Sequence, residues 1–259
     1  MSKLDSRQQS LKNQFAAARG YWSELWDDVL ALDADFFEAY MNFSSVPWRT
    51  GTLDPKVREL IYIAIDLSTT HLYEPGTRVH INNALNYGAT KEEIMEVIQL
   101  TSVLGIHTCT VGVPVLVDEL RQAGRTSELP RAEFGEREER LKSEFIEKRG
   151  YWSELWDNVL AFSPDFFEAY LQFSSVPWRN GRLEPKIKEF IYIAIDAATT
   201  HLYEPGIRVH VRNALRYGAS AKEIVEVLEL VSVLGIHSCT FGVPLLMQEV
   251  RAREKKKAG

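Results

Sequence analysis

The amino-acid sequence predicts an all-α protein, and three observations support that prediction. Apolar residues recur at spacings of three and four along most of the chain, as on one face of an amphipathic helix. Helix start signals precede several of these segments, among them the capping boxes Thr90–Glu93 and Ser220–Glu223. No pair of alternating segments is joined by a tight-turn signal, so the sequence contains no candidate β-hairpin.

Composition narrows the function classes. The chain of 259 residues is 45% hydrophobic and 25% charged, with a formal net charge of -6. These values are typical of a globular protein and give no general attraction to nucleic acid. Two cysteines are too few for a disulfide framework. The N-terminus lacks the apolar centre of a signal peptide, and no run approaches transmembrane length. We therefore expect a cytoplasmic protein with neither nucleic-acid nor membrane partners.

The chain is an internal duplication. Residues 21–120 align without a gap on residues 151–250 at an offset of 130, and 69 of these 100 positions are identical. All six histidines and both cysteines fall in matched pairs. Such self-similarity indicates two copies of one structural unit. We predict a first repeat at 1–123, a linker at 124–140 and a second repeat at 141–259.

The spacing of apolar residues predicts the first helices of each repeat. A helix is predicted over Leu11–Leu32, and a second, short helix begins at Asp35. Ser44–Gly51 contains a proline and a glycine and is predicted to be a loop. Asp54 and Pro55 then supply an N-cap and a first-turn proline for a third helix, which continues to about residue 70.

A buried strand is the alternative prediction for part of the third helix. Ile61–Ile65 is rich in β-branched residues, which a buried strand would favour. The start signal and the length of the segment favour a helix. Pro75 opens a fourth helix that Gly88 closes, and the capping box starts a fifth that ends near residue 104. The stretch 105–112 interrupts it before a sixth helix over 113–121.

A dense group of polar residues lies between the third and fourth helices. It includes the N-terminal end of a helix, a position suited to holding an anion or moving a proton. A turn with a purely structural role is the alternative. The polar members are His71, Glu74, Arg78 and His80, repeated as His201, Glu204, Arg208 and His210.

A family resemblance rests on three features of the first repeat. Arg58-Glu59-Leu60 is followed by His80 and then by Asn83-Ala-Leu-Asn-Tyr-Gly-Ala-Thr-Lys-Glu-Glu-Ile-Met-Glu-Val. This combination resembles the carboxymuconolactone decarboxylase superfamily, which includes the alkylhydroperoxidase-D-like proteins. The resemblance covers roughly residues 54–117 and 184–247. It implies two tandem alkylhydroperoxidase-D-like helical bundle domains, and a chain that assembles as a homotrimer with pseudo-hexameric symmetry.

The chain departs from the peroxidase-type members of that superfamily. Those members carry Cys-x-x-Cys where this sequence has His71 and Glu74. A disulfide redox cycle needs a thiolate nucleophile and a resolving thiol, and neither stands at that place. Hydroperoxide reduction by Cys109 and Cys239 is therefore a disfavoured alternative.

The resemblance to the decarboxylase branch implies acid–base chemistry without a cofactor. The substrate would be a small carboxylated lactone or a related intermediate of aromatic-compound degradation. Losing carbon dioxide requires that the substrate be bound, that the remaining charge be stabilised and that a proton be delivered. Arg78 and Arg208 offer forks for a substrate carboxylate. The predicted catalytic residues are His80 and His210 as proton donors, Glu59 and Glu189 as orienting groups, and His71, His201, Glu74 and Glu204.

Other interpretations use the same residues. Glu74 and Arg78 are four residues apart and could form an ordinary helical ion pair. A metal centre is a rival hypothesis, but Pro75 breaks the helix between the candidate ligands, so we predict no metal. A non-catalytic protein that binds small molecules is a further alternative. If a metal were bound, its ligands would come from His71, Glu74, His80, His201, Glu204 and His210.

Overall fold

The computed structural model describes residues 4–131 and 133–258, without the side chains of 256–258, and every regular element in those ranges is a helix. The predicted all-α class is confirmed. The first repeat contains α1 (Ser6–Arg19), α2 (Asp27–Leu32), α3 (Ala34–Ser44), α4 (Val46–Thr50), α5 (Pro55–Leu67), α6 (Glu74–Asn86), α7 (Lys91–Ser102) and α8 (His107–Gln122). The second contains α9 (Glu136–Arg149), α10 (Asp157–Phe162), α11 (Pro164–Ser174), α12 (Val176–Asn180), α13 (Pro185–Ala197), α14 (Glu204–Arg216), α15 (Ala221–Ser232) and α16 (His237–Ala258).

Two predictions for the N-terminal part of the repeat were wrong. The predicted helix over Leu11–Leu32 is two helices, because Gly20 takes a φ of 77° and ends α1 in a left-handed cap. The predicted loop over Ser44–Gly51 contains the short helix α4. Pro47 lies in the first turn of α4, where the missing backbone N–H costs nothing.

The predicted interruption at residues 105–112 is also shorter than expected. A 3₁₀ turn over Val103–Ile106 links α7 directly to α8, which begins at His107 and runs through Gly112 and Pro114. The helices from Lys91 to Gln122 therefore follow one another over 32 residues.

These linked helices test the prediction that no apolar segment is long enough to cross a membrane. Lys91–Gln122 and Ala221–Lys255 each include a window of 18 residues with mean hydropathy of 1.7 and 1.8, which is enough by length and composition to cross a membrane. The prediction that no run approaches that length was wrong, because helix α7 continues into α8 and α15 into α16. Only 39% and 33% of these windows are buried within the chain. Length and composition alone are weak evidence for a membrane span, and the cytoplasmic location stays a prediction.

Helix α5 is the central element of its repeat. Asp54 accepts a hydrogen bond from the backbone N–H of Lys56, and Pro55 occupies the first turn, as the start signal predicted. The alternative of a strand over Ile61–Ile65 is excluded, because this segment is helical. All five of its residues are at most 3% exposed. A helix that is apolar on every side is buried on every side.

The two repeats share one hydrophobic core. Helix α5 packs against α13, and both also contact α7 and α15. Two buried ion pairs cross between the repeats: Arg58 Nε lies 2.8 Å from Glu226 Oε1, and Lys188 Nζ lies 3.0 Å from Glu96 Oε1. Separating either pair would leave a buried charge without its partner, so these contacts fix how the repeats meet.

The last helix of each repeat packs on the other repeat. Ile236, next to α16, joins the apolar cluster formed by α1, α2 and α3, and Cys239 packs against the same cluster. Ile106 and Cys109 do the same with the helices of the second repeat. This exchange carries the histidines at the start of α8 and α16 into the opposite repeat.

Candidate functional site

Two equivalent clusters of buried polar side chains lie where the repeats meet. Each takes most of its residues from one repeat and a histidine from the other. The first site comprises Glu59, Asp66, His71, Tyr73, His80 and His237, and the second comprises Glu189, Asp196, His201, Tyr203, His210 and His107.

A glutamate and a histidine form the most buried pair of each site. Nδ1 of His80 lies 2.6 Å from Oε2 of Glu59, and the matching distance from His210 to Glu189 is also 2.6 Å. Glu59 is fully buried, and Asn83 donates a second hydrogen bond to it from one turn along α6. Since Nδ1 donates to the carboxylate, Nε2 is the nitrogen of His80 that is left for a ligand.

Asp66 is the buried carboxylate that sequence reasoning missed. It is 1% exposed, and neither of its oxygens has a hydrogen-bond partner among the residues described. Desolvation raises its pKa to about 7, although His80 opposes the shift. Asp196 has the same raised pKa, and its Oδ2 lies 4.0 Å from His210 Nε2. The available signal was one acidic residue within the apolar run of α5.

Two histidines from different repeats meet beside this carboxylate. Nε2 of His71 lies 2.8 Å from Nδ1 of His237, which in turn lies 3.7 Å from Oδ1 of Asp66. Desolvation, reinforced by His71, lowers the pKa of His237 to about 3, so its ring is neutral at neutral pH. In the second site the contact between His107 and His201 is 2.7 Å.

The loop between α5 and α6 positions His71 and Tyr73. Tyr73 donates its backbone N–H to Asp66 O at 2.8 Å, and its ring stacks on His237 with centroids 4.0 Å apart. Between them Leu72 is held at a φ of 48°, a conformation that costs a branched side chain free energy. A Cβ at Gly76 would lie 2.2 Å from Asp66 Oδ2, so only glycine fits where α6 approaches the carboxylate.

Glu74 and Arg78 lie outside the cluster. Nε of Arg78 is 2.8 Å from Oε1 of Glu74, and the two side chains are 77% and 72% exposed. A residue two positions along a helix is rotated by about 200°, so His80 faces inward while Arg78 faces solvent. The equivalent pair, Glu204 and Arg208, is exposed in the same way. The structure therefore does not bring these four predicted site residues to the buried histidines.

Among the residues described, two groups have metal-ligand donor atoms within 4.8 Å of one another. They are Asp66, His71 and His237, and His107, Asp196 and His201. Of the ligand set that the sequence suggested, only the two loop histidines belong to these groups. Glu74 is turned to solvent, and His80 is bound through Nδ1 to Glu59.

A small cavity adjoins each cluster. The first has a volume of about 50 Å³, and its lining includes His80, His237, Tyr62, Tyr73 and Arg19. The second, beside His210 and His107, has a volume of about 30 Å³. A cavity of this size holds only a few water molecules.

Arg19 is a buried cation in the wall of the first cavity. It is 4% exposed, its guanidinium lies over the Trp48 ring at 4.8 Å, and one N–H donates to Ser44 O. Its Nε has no partner within the described chain, and the matching Arg149 lacks partners at Nε and Nη1. A buried guanidinium with free donors favours an anion. Arg19 lies 39 residues before Arg58, where the family pattern begins, so no local signal pointed to it.

Comparison with known proteins agrees with this architecture. The model of the carboxymuconolactone decarboxylase family matches residues 34–116 and 164–237. The chain belongs to the carboxymuconolactone decarboxylase family. No curated protein matches it. The chain is also similar to a crystal structure from Burkholderia xenovorans LB400, whose protein is provisionally named a gamma-carboxymuconolactone decarboxylase subunit. The two sequences are 48% identical, and the structures match with a TM-score of 0.91 over 95% of this chain and 98% of that chain.

Membership of the carboxymuconolactone decarboxylase family confirms the resemblance and the fold of two tandem bundles. The hydroperoxidase alternative is not favoured. Cys109 and Cys239 are free thiols, and each packs against a different apolar cluster. In a disulfide redox cycle the nucleophilic thiol and the resolving thiol must come into contact, and these two thiols lie in separate clusters.

Proposed function

We propose that this chain is a gamma-carboxymuconolactone decarboxylase-like enzyme that acts by acid–base chemistry on a small carboxylated lactone. One observation carries the proposal: His80, hydrogen-bonded to the buried Glu59, lines a cavity that Arg19 also lines, and the Nε of Arg19 has no partner among the described residues. The provisional name of the similar Burkholderia protein supports the same substrate class.

Arg19 is suited to the negative charge that remains after carbon dioxide leaves. An interaction accelerates a reaction only when it is stronger in the transition state than in the bound substrate. A guanidinium on the departing carboxylate would stabilise the substrate and oppose its loss. Placed at the lactone carbonyl oxygen, Arg19 would instead stabilise the enolate as it forms. This role differs from the binding of the substrate carboxylate that the sequence suggested for Arg78.

His80 supplies the proton that completes the reaction. The bond to the carboxylate carbon breaks, carbon dioxide departs, and the electron pair stays on the lactone as an enolate. Nε2 of His80 then transfers its proton to a carbon of that enolate, while Nδ1 stays bonded to Glu59. The carboxylate of Glu59 stabilises the charged imidazole before this transfer and fixes the ring orientation. Solvent restores the proton to Nε2.

The cavity must enlarge before such a substrate can bind, because about 50 Å³ is smaller than a lactone. Tyr21, Ser23 and Leu25 line it from the segment between α1 and α2, where Gly20 has ended the helix. We infer that outward movement of this segment opens the cavity to solvent. The second site has the same segment at Tyr151 and Ser153.

An assay of gamma-carboxymuconolactone turnover, measured as the release of carbon dioxide, tests the proposal. The double variant His80→Gln with His210→Gln should lose activity at least about 100-fold, the lower end of what a positioned general acid contributes. Glu74→Gln with Glu204→Gln is the matched control, because these exposed residues lie outside both sites and should leave turnover unchanged. A wild-type chain without turnover, or a double histidine variant as active as the wild type, would overturn the proposal.

We also propose that the chain forms a homotrimer in the cytoplasm and serves aromatic-compound degradation. Support for assembly comes from apolar side chains left exposed along α7 and α8 and along α15 and α16. Met95 and Val115 are 51% and 57% exposed, and Phe241 is 63% exposed. A row of such residues on adjacent helices is typical of a buried subunit interface.

A further inference from the structure

We propose that each cluster of two histidines and one aspartate is a binding site for a divalent first-row transition-metal ion. In the first site the ligands are Asp66, His71 and His237. In the second they are Asp196, His201 and His107. Each set takes its α8 or α16 histidine from the opposite repeat.

The spacing of the donor atoms suits such an ion. Nε2 of His71 and Nδ1 of His237 are 2.8 Å apart, and Nδ1 of His237 is 3.7 Å from Oδ1 of Asp66. Ligands bound tetrahedrally at the usual zinc distances lie roughly 3.3 Å from one another. The two separations lie on either side of that value. All three donor atoms lie within 4.8 Å of one another, so movement of these side chains toward a common centre would admit the ion.

The unpartnered carboxylate distinguishes a metal site from a simple hydrogen bond. Two neutral imidazoles at 2.8 Å can satisfy each other, and nothing more is then required of His71 and His237. Asp66 is left with two buried oxygens and no donor within the described chain. Burying such a group without a partner costs free energy, and a cation between the carboxylate and the imidazoles removes that cost. Asp196 repeats the arrangement, since its Oδ2 also has no partner among the described residues.

The surroundings hold one ligand in place and leave room beside it. The ring of Tyr73 lies 4.0 Å from that of His237, and the Tyr73 hydroxyl is 2.6 Å from Thr240 Oγ1. Such packing and hydrogen bonding around a ligand fix its orientation. Three protein ligands leave a fourth position open. His237 and His80 line the same cavity, so an ion held by His237 would lie near the proposed proton donor.

The donor set selects the class of ion. Two imidazoles and one carboxylate suit zinc, iron(II), cobalt or manganese, whereas soft copper(I) prefers the thiolates that both sites lack. We take zinc and cobalt as probes. Compared with the ligands that the sequence suggested, this set retains the loop histidines and replaces Glu74 and His80 by Asp66 and His237.

Calorimetric titration of the untagged, full-length chain with zinc, after removal of metal by a chelator, tests the proposal. We expect two ions per chain for the wild type. His237→Gln should bind one ion, and His237→Gln combined with His107→Gln should bind none. Asp66→Asn should weaken the first site at least about tenfold while the second site is unaffected.

Two further measurements make the result decisive. Glu74→Gln with Glu204→Gln should keep both ions, because these carboxylates are exposed. Cobalt titration of the wild type should give saturable visible absorption bands at two equivalents, a readout that does not depend on any variant folding. Fewer than two saturable sites in the wild type, or zinc binding that survives both histidine replacements, would overturn the proposal. Because these tests measure binding, their failure would leave the decarboxylase proposal standing.

Discussion

His71 and His237 lie 166 residues apart in the chain, yet Nε2 of the first is 2.8 Å from Nδ1 of the second. The contact exists because α16 packs on the helices of the opposite repeat. His107 and His201 repeat it at 2.7 Å. Each site is therefore incomplete without both repeats, and the following predictions test the parts of that arrangement.

The first prediction concerns Glu59 as a positioning residue. Glu59→Gln keeps the size of the side chain and removes the negative charge that orients His80 and stabilises its protonated form. Turnover of the lactone by the double variant with Glu189→Gln should fall between about 100-fold and 10,000-fold, while the KM changes little. Circular dichroism should report the same helix content as in the wild type. A lost fold or an unchanged kcat would contradict the assigned role.

The second prediction separates Arg19 from Arg78. Removing a hydrogen bond from a charged donor costs about 1.5–3 kcal/mol. Arg19→Gln with Arg149→Gln should therefore lower kcat/KM by about 10-fold to 100-fold. Arg78→Gln with Arg208→Gln is the matched control, because both guanidiniums are exposed and paired with glutamates. A larger loss in the control than in the Arg19 variant would show that the exposed arginines bind the substrate.

The third prediction follows from the raised pKa of Asp66. Burial raises it from 3.8 to about 7, so the folded chain keeps a proton that the unfolded chain loses near pH 4. The free energy of unfolding that Asp66 contributes must then fall as pH rises through this window. Relative to Asp66→Asn, the wild type should lose up to about 4 kcal/mol between about pH 4 and pH 8.

Urea unfolding in the presence of a chelator measures this difference. His237, with a pKa lowered to about 3, acts in the opposite direction. Since His237 is present in both proteins, the part of its effect that does not depend on Asp66 cancels in the comparison. Parallel stability curves for the wild type and the Asp66→Asn variant would contradict the prediction.

The fourth prediction concerns the buried ion pair between the repeats. Arg58 and Glu226 are 6% and 2% exposed, and Glu226 also accepts the backbone N–H of Leu53 at 3.0 Å. Glu226→Ala would leave a buried guanidinium unpaired and should lower the free energy of unfolding by about 3–5 kcal/mol. Arg121→Ala, which removes an exposed ion pair with Asp118, should leave the unfolding midpoint unchanged. Equal effects of the two changes would contradict this view of the core.

The fifth prediction concerns assembly. Light scattering should give three times the chain mass of 29.6 kDa for the wild type. Val115→Glu with Phe241→Glu places charges on the exposed apolar faces of α8 and α16 and should yield a smaller species. Lys91→Glu changes a charge at the solvent-exposed start of α7 and should keep the trimer. A wild type that runs as a monomer would contradict the prediction.

Much of the fold could be predicted because its signals are local. Asp54 and Pro55 begin α5, and the capping box at Thr90 begins α7, as the sequence indicated. The errors also have local causes. A left-handed Gly20 divides one apolar pattern into two helices, and Pro47 starts a helix where proline was read as a loop signal.

The site was only partly predictable. The family resemblance pointed to Glu59 and His80, and the structure places them in one hydrogen bond. Glu74 and Arg78 share the same ten residues but face solvent, because two steps along α6 reverse the direction of a side chain. Spacing in the sequence showed that these groups were near one another without showing which of them face inward.

The sequence by itself determined the duplication, the helical class, the helix caps and the absence of a redox pair beside His80. Each depends on composition or on contacts within a few residues. Only the tertiary structure decided that Asp66, His237 and Arg19 lie beside the predicted residues. Their convergence depends on the packing of α16 against the opposite repeat and of α1 against the core, and no local pattern encodes contacts between segments so far apart in the chain.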